Sequence, residues 1–457
     1  MAAAAIMLTL VALAATACSG SSEANAEVYQ EPLSPPPVVP VAEPFGRHTV
    51  VVNLTAVEQT VEIAPGVSYE TWTFNGTVPG PILRARVGDT VEVHLKNPAT
   101  NTQSHSIDLH AVNGPGGGAG ATSVAPGEEK SFTFKAKSAG LFVYHCASGI
   151  VADHIANGMY GAILIDPITA LSRVDHEYYV GQSEFYTAGD TNVKGMQDMD
   201  MTKLVHEQPP YIVFNGNTKS LIGDNALQAK AGETVRIYFS NGGPNLTSSF
   251  HVIGEIMDKV WPSGSLETSP EIGLQTVSVA PGNAVIAQFK VDVPGDYKLV
   301  DHAIIRVSEG AVGILHVTGA NDASTFNVLP TAPGTGPANT RATPTSATVA
   351  PTVATGTGAA GALTEVMTDN VFGTKTFTVS LGQAVTFDLV NSGKVIHNMR
   401  IADTKGSFDS GQSVVSNPEL VPAGKNGTLT WTPTTAGTYN FRCDVHPDQM
   451  TGTITVK

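Results

Sequence analysis

The sequence predicts an all-β chain of three Greek-key β-sandwich domains, the third on a flexible linker, and three observations carry that prediction. Short alternating apolar runs, among them TVEVHL, SFTFKA, TVRIYF, AVTFDLV and GTLTWT, recur about every ten residues with turn residues between them, as sandwich strands do. Extended helical periodicity is scarce, and a single short helix is expected around Met196–Glu207. The chain also repeats itself: VAPGEEKSFTFKAKSAGLFVYHC ends at Cys146, VAPGNAVIAQFKVDVPGDYKLVDH at His302 and VPAGKNGTLTWTPTTAGTYNFRC at Cys443. Aligning Gly140, Gly295 and Gly437 puts Cys146, Asp301 and Cys443 at one position, six residues further on, so only the first and third units carry a thiol there.

Taken in order, residues 1–18 form an apolar run of signal-peptide length that closes on small residues and a cysteine, too short and wrongly flanked for a spanning helix. Export to the periplasm or cell envelope is expected, with Cys18 as a lipid attachment site; Ala15 stands where a lipobox usually has Leu or Val and the basic start is missing, so a plain secretory signal is the alternative. Residues 19–45 read as a Pro-rich tether, 46–167 as the first domain, 168–328 as the second, 329–362 as a linker of Pro, Thr, Ala and Gly, and 363–457 as the third domain. A linker of some thirty residues has a root-mean-square reach of about 30 Å if it behaves as a Gly-rich coil.

A chain of 457 residues is long enough for about three domains and several sizeable cores. Lys+Arg 25 against Asp+Glu 40 gives a net charge of −15, which argues against nucleic acid and anionic lipid as partners and suits a basic protein partner or simple solubility. With Cys18 assigned to the leader, Cys146 and Cys443 remain, in different domains. Two unpaired thiols in an exported protein call for another role, and metal ligation supplies one.

The neighbouring residues make that role specific. His105, Cys146, His154 and Met159 offer two imidazoles, a thiolate and a weak thioether, the set that holds a blue, electron-transferring (type 1) copper. His397, Cys443, His446 and Met450 repeat it in the third domain. Successive strand residues face opposite ways, so His145 and Cys146 can serve different metals on the two sides of one strand. By the same parity His105 faces one way, while Asp108 and His110 share the other. His302, at the matching strand end of the second repeat, completes a three-histidine set with His110 and His145 that suits copper or zinc. The thiolate site joined to it decides for copper (type 2), because zinc has no redox chemistry. Arg442 stands where the first domain has His145, so the third domain is expected to carry electrons without a second metal beside it.

In SHSIDLH, HAVNGPGGG, YHC through HIANGMYG, VFNG, GDNALQAKAGETVRIYF, NGGPNLTSSFHVIGEIMDKV and DYKLVDHAIIR, over about residues 50–320, the chain resembles the copper-containing nitrite reductases, above all their outer-membrane lipoprotein branch. That resemblance implies cupredoxin-like domains and reduction of nitrite to nitric oxide. It also implies Asp108 as the active-site acid with His251 in SSFHVIGE as its partner, and a homotrimer in which His302 of one subunit joins His110 and His145 of the next. The third domain resembles plastocyanin-like cupredoxins. Three coppers per subunit are expected, one for each ligand set. An external cupredoxin or c-type cytochrome is the expected electron donor, with the third domain as the point where electrons arrive; the alternative is that the third domain only docks a partner.

Two other readings compete. A laccase-like multicopper oxidase shares the sandwiches and the blue site, but its trinuclear cluster needs paired His-x-His motifs; here the spacing is His105-x4-His110 and Ala147 follows Cys146. A multi-domain blue-copper carrier has no need of the three-histidine set with Asp108 beside it.

Overall fold

The computed structural model describes residues 27–31, 33–42, 46, 48–327, 356–357, 362–408, 412–447 and 449–457. Cys18 and the rest of the leader lie outside the described residues, as does most of the 329–362 linker.

The first sandwich packs a six-stranded sheet on a four-stranded one. In the larger sheet the central strand His48–Ala64 pairs antiparallel with Val67–Phe74 and parallel with Thr90–Lys96, which in turn pairs antiparallel with Glu129–Lys135. The smaller sheet runs Leu83–Arg86, Tyr160–Asp166, Gly140–His145, Asp108–Leu109. Val50, Val52, Leu54, Val91 and Val93 from one layer close on Leu83, Ile163, Ile165, Tyr144 and Cys146 from the other.

The strand Gly140–His145 has few polar positions because both of its faces are covered. Tyr144 and Cys146 enter the first core, whereas Leu141 packs with Ile82, Leu164, Tyr179, Tyr238 and Ile286 where the second sandwich meets the first. Gly264 makes that approach possible: it has φ +66°, and a Cβ there would lie 2.4 Å from the Leu141 carbonyl oxygen. A buried charge network also joins the two sandwiches. Arg84 is bonded to Asp166 at 2.8 Å and to Glu177 at 3.0 Å, and Glu177 also takes Arg236 at 2.9 Å. Burial alone would raise the Glu177 carboxyl, but the two guanidinium groups and the Tyr238 hydroxyl hold it below the usual range.

The second sandwich packs two five-stranded sheets. One runs Tyr211–Phe214, His176–Phe185, Thr234–Gly243, Asn283–Lys290, Lys259–Trp261; the other runs Leu227–Lys230, Val312–Thr318, Gly295–Asp301, Ser248–Ile253, Thr276–Val279. Asp301 occupies the position that holds a thiol in the other two units. It is fully buried and accepts Ser249 N–H at 3.0 Å, Ala303 N–H at 3.1 Å, Gln182 Nε2 at 3.1 Å and Arg306 Nη1 at 2.6 Å. A carboxylate with every lone pair engaged is a brace for the following residue, His302.

The third sandwich pairs a six-stranded sheet, in which Thr451–Val456 and Gly437–Arg442 are central, with a four-stranded sheet built on Ala362–Thr368 and Val385–Asn391. Its core includes Phe377, Phe387, Leu389, Phe441, Cys443 and Met450.

Four expectations need correction. The helix placed around Met196–Glu207 is only Met201–Val205, because the Asp200 carboxylate caps it by accepting Thr202 N–H at 2.8 Å and Lys203 N–H at 3.1 Å. Gly195–Gln197 is instead a strand, paired parallel with Val67–Tyr69, so a segment assigned to the second domain extends the first sheet. The 19–45 tether, where described, is seated on the sandwiches. Glu27–Gln30 pairs with His48–Val51, Val38 bridges Tyr178, and the Pro40 carbonyl accepts Arg84 Nη1 at 2.6 Å. Tyr179 N–H donates to the Pro37 carbonyl at 3.0 Å, a bond that proline can still accept although it has no N–H of its own. Likewise Gly356–Thr357, inside the 329–362 linker, pairs with Phe377–Thr378.

Asp301→Ala should cost about 3–5 kcal/mol of stability, because it leaves Arg306 and two backbone N–H groups without their acceptor. Guanidinium unfolding of the full chain measures it.

Candidate metal centres

Cys146 follows directly on the strand Gly140–His145 and is wholly buried, its N–H bonded to the Met159 carbonyl at 3.0 Å. Its Sγ lies 3.2 Å from His154 Nδ1 and 3.9 Å from His105 Nδ1, and accepts Ser106 N–H at 3.4 Å. His105 is held by a bridge to Val124, and His154 is on the helix Val151–Ala156, with the Trp72 ring 4.7 Å from its own. Burial lowers both imidazoles, with His154 brought to about 4 by burial and then by His105. Both are therefore neutral at ordinary pH, the ligating form. Burial pushes the Cys146 thiol up, against hydrogen bonds from Ser148 and Ser106 that pull the other way. Met159 is fully buried in the same core.

The third sandwich repeats this arrangement. Cys443 Sγ lies 3.9 Å from both His397 Nδ1 and His446 Nδ1, and Asn398 N–H donates to the sulfur at 3.4 Å. The Cys443 N–H bonds to the carbonyl of the buried Met450 at 2.9 Å.

These spacings fit a metal. Ligand bonds of about 2.3 Å to sulfur and about 2.0 Å to nitrogen, at angles between tetrahedral and trigonal, separate the two ligand atoms by roughly 3.5–3.7 Å, between the 3.2 Å spacing to His154 and the 3.9 Å spacings of the other three pairs. A thiol among imidazoles, each with one nitrogen turned inward, is the donor set of a soft, redox-active first-row ion.

On the opposite face of the same strand, Asp108, His110 and His145 bring their ligand atoms within 4.8 Å of one another. Asp108 and His145 are cross-strand partners, and His110 Nε2 is 3.2 Å from His145 Nε2. His145 Nδ1 lies 2.9 Å from the Cys146 carbonyl and donates to it, which makes Nε2, facing His110, the acceptor nitrogen. Burial, then the neighbouring His145, lowers the His110 pKa. Gly117, at φ +55°, closes over the carboxylate; a Cβ there would fall 1.8 Å from Asp108 Oδ1, so only glycine fits.

His302 is not part of this cluster. Its ring packs edge-on to His251 at 5.4 Å on the second sandwich, where His251 Nδ1 donates to the Gln275 carbonyl at 2.5 Å and keeps Nε2 free. The chain thus carries two half-sites: Asp108, His110 and His145 on one sandwich, and His251 with the exposed His302 on the other.

Residues 55–169 match a family model described as multicopper oxidase, and residues 347–456 one described as a cupredoxin-like domain. The copper-containing nitrite reductase of Neisseria gonorrhoeae is 51% identical over 288 residues, spanning 63% of this chain and 73% of that protein. That of Cereibacter sphaeroides is 36% identical over 311 residues, spanning 64% of this chain and 83% of that protein.

The chain belongs to the copper-containing nitrite reductases.

Solved structures of the family agree with this placement. The copper nitrite reductase of Nitrosomonas europaea is 38% identical with a TM-score of 0.53, covering 60% of this chain and 95% of that one. The copper-containing nitrite reductase of Thermus scotoductus is 25% identical with a TM-score of 0.52, covering 89% and 99%. Copper is the metal of this family, and the described donor sets fit it.

Sequence reasoning missed four residues around these clusters. Glu58 bonds His105 Nε2 at 3.1 Å, Trp72 covers His154, Ser106 donates to the Cys146 sulfur, and Gly117 roofs Asp108. None shows a spacing signal of its own, although Ser106 and Gly117 fall inside SHSIDLH and HAVNGPGGG.

Copper titration of full-length Cys146→Ser and Cys443→Ser should show each variant losing one of two intense thiolate-to-copper absorptions, and the double variant losing both. Visible absorption spectroscopy measures this. A double variant that keeps such a band would place the thiolate ligand elsewhere.

Proposed function

We propose that this chain reduces nitrite to nitric oxide and water, taking up one electron and two protons for each nitrite. The observation that carries the reading is the strand end at His145 and Cys146, which presents a thiol cluster on one face and the Asp108, His110 and His145 cluster on the other. Family membership supports the same activity.

His105, Cys146, His154 and Met159 form the first type 1 site, and His397, Cys443, His446 and Met450 the second. His110 and His145 of one subunit with His302 of another form the type 2 site, giving three coppers per subunit in a homotrimer. The support for the trimer is the pair of half-sites, each with an acceptor imidazole nitrogen and neither complete alone. Bound copper supplies one-electron transfer at the thiolate sites and a Lewis-acidic, reducible centre at the three-histidine site.

The residues of the chain do the rest. His145 and Cys146 are covalent neighbours, so one peptide unit links the electron-storing site to the site of reduction. Asp108, beside His110 and His145, gives the first proton to a nitrite oxygen, and Gly117, having no side chain, leaves room for its carboxylate. His251, with Nδ1 tied to Gln275, offers Nε2 for the second proton.

The third sandwich receives electrons from an external cupredoxin or c-type cytochrome and passes them to the Cys146 site. Arg442, in the place of His145, supports a carrier role. Export, with lipid attachment at Cys18 as the anchor, completes the proposal and rests on the leader sequence.

The laccase-like reading lacks ligands, since no further histidine-rich group accompanies these clusters among the described residues.

His302→Ala should abolish anaerobic nitric oxide production from nitrite with a reduced artificial donor while the visible thiolate absorption persists; loss of the colour together with activity would show only a folding defect. Asp108→Asn should lower turnover by about 10²–10⁴-fold at unchanged copper content. A twofold effect or less would limit Asp108 to orienting its histidine neighbours.

A further inference from the structure

The two thiol clusters share a donor set but differ in what stands behind the first histidine. In the first sandwich, Glu58 on the strand His48–Ala64 reaches His105 from the side away from the sulfur, with Oε1 3.1 Å from Nε2. The Glu58 side chain is 8% exposed and His105 fully buried. Three more donors fix the carboxylate: Thr102 N–H and Thr102 Oγ1 at 2.8 Å to Oε2, and Gln103 N–H at 2.8 Å to Oε1. Four donors converge on the two oxygens and no acceptor among the described residues faces them, which is the arrangement of an ionised carboxylate. In the third sandwich His397 Nε2 is buried with no hydrogen-bond partner among the described residues.

With Nδ1 turned to the Cys146 sulfur, the His105 proton resides on Nε2 and is donated to Glu58. A carboxylate in that place makes an imidazole a more basic ligand and puts negative charge in a dry setting near the metal. The oxidised form of a one-electron copper couple carries one more positive charge than the reduced form, and it gains more from that charge.

We propose that Glu58 is a positioning and tuning residue for the Cys146 copper: acting through His105, its carboxylate lowers the midpoint potential of that site, while the Cys443 site has no such partner. The inference rests on the copper reading of the Cys146 cluster. Its consequence is directional. A lower potential makes the first site a stronger donor across His145–Cys146 toward the Asp108 cluster and a weaker acceptor from whatever feeds it.

Glu58 also ties down the turn at Thr102–Gln103, so the test separates charge from structure. Full-length protein carrying Cys443→Ser, which leaves only the first thiolate absorption, is titrated potentiometrically with and without Glu58→Gln. Glutamine keeps the size and an acceptor oxygen and removes the charge. The midpoint should rise so that the reduced-to-oxidised ratio at fixed potential grows tenfold or more, about 59 mV for one electron. Thr102→Val, which removes one competing donor from the carboxylate and leaves the histidine alone, should shift it the other way. In the Cys146→Ser background, Glu58→Gln should leave the Cys443 midpoint where it was.

An unchanged midpoint in Glu58→Gln with the absorption intact overturns the proposal, as does an equal shift at both thiolate sites. If Glu58→Gln does not hold copper, Thr102→Val decides: a lower midpoint supports the proposal, and an unchanged or higher one overturns it. If copper-loaded Cys443→Ser shows no thiolate absorption at all, the copper reading of the Cys146 cluster fails first and takes the proposal with it.

Discussion

The alternation of side chains along one strand, Gly140–His145, and onto Cys146 is the constraint on which the rest of the chemistry depends. Two neighbouring residues must look in opposite directions, one into a dry core and one out of it. That requires a strand buried on both faces, and here the second sandwich provides the second cover by packing Tyr179, Tyr238 and Ile286 on Leu141. The contact between the sandwiches is therefore part of the site. It holds the strand so rigidly between two packed layers that His145 and Cys146 have no alternative facing, and a one-residue slip would exchange their roles.

Burial then prepares the ligands. An imidazole in a dry core resists protonation, and its neutral form has one acceptor nitrogen whose identity is set by what the other nitrogen bonds. The backbone or a carboxylate makes that choice repeatedly: the Cys146 carbonyl for His145, the Gln275 carbonyl for His251 and Glu58 for His105. The protein thus fixes proton positions before any metal arrives, which lowers the reorganisation that binding requires.

Much of this was legible in the sequence because it is carried by short spacings. The strand repeat, the thiol at one position of two units and the parity of His105 against Asp108 and His110 depend on local periodicity, and the structure brings those side chains together. What was not legible depends on long-range closure. Glu58 meets His105 from 47 positions away, and in its own strand it is one polar residue among several. Gly195–Gln197 is too short to show alternation, and becomes a strand only because the edge at Val67–Tyr69 is open to it. The Glu27–Gln30 strand is hidden by prolines whose neighbours still pair. The helix bearing His154 is six residues long, below the length at which helical periodicity can be read.

The three sandwiches show how one scaffold position is turned to different ends. The first places Cys146 there, with His145 before it facing Asp108 and His110. The third keeps the thiol, but its preceding residue, Arg442, bonds Asp444 at 3.2 Å and lies over the Phe408 ring at 4.2 Å, so that face is filled by an ion pair and an aromatic ring. The second gives up the thiol for Asp301, whose four hydrogen bonds lock the strand end and set His302 on the surface beside His251. A thiolate in place of Asp301 would need imidazole partners that the second core does not supply, and Arg306 and Gln182 would lose their acceptor. The carboxylate therefore makes the second unit a rigid holder of one exposed histidine. A histidine held rigidly at a surface, apart from the partners its chemistry calls for, is what the proposed intersubunit site requires of each chain.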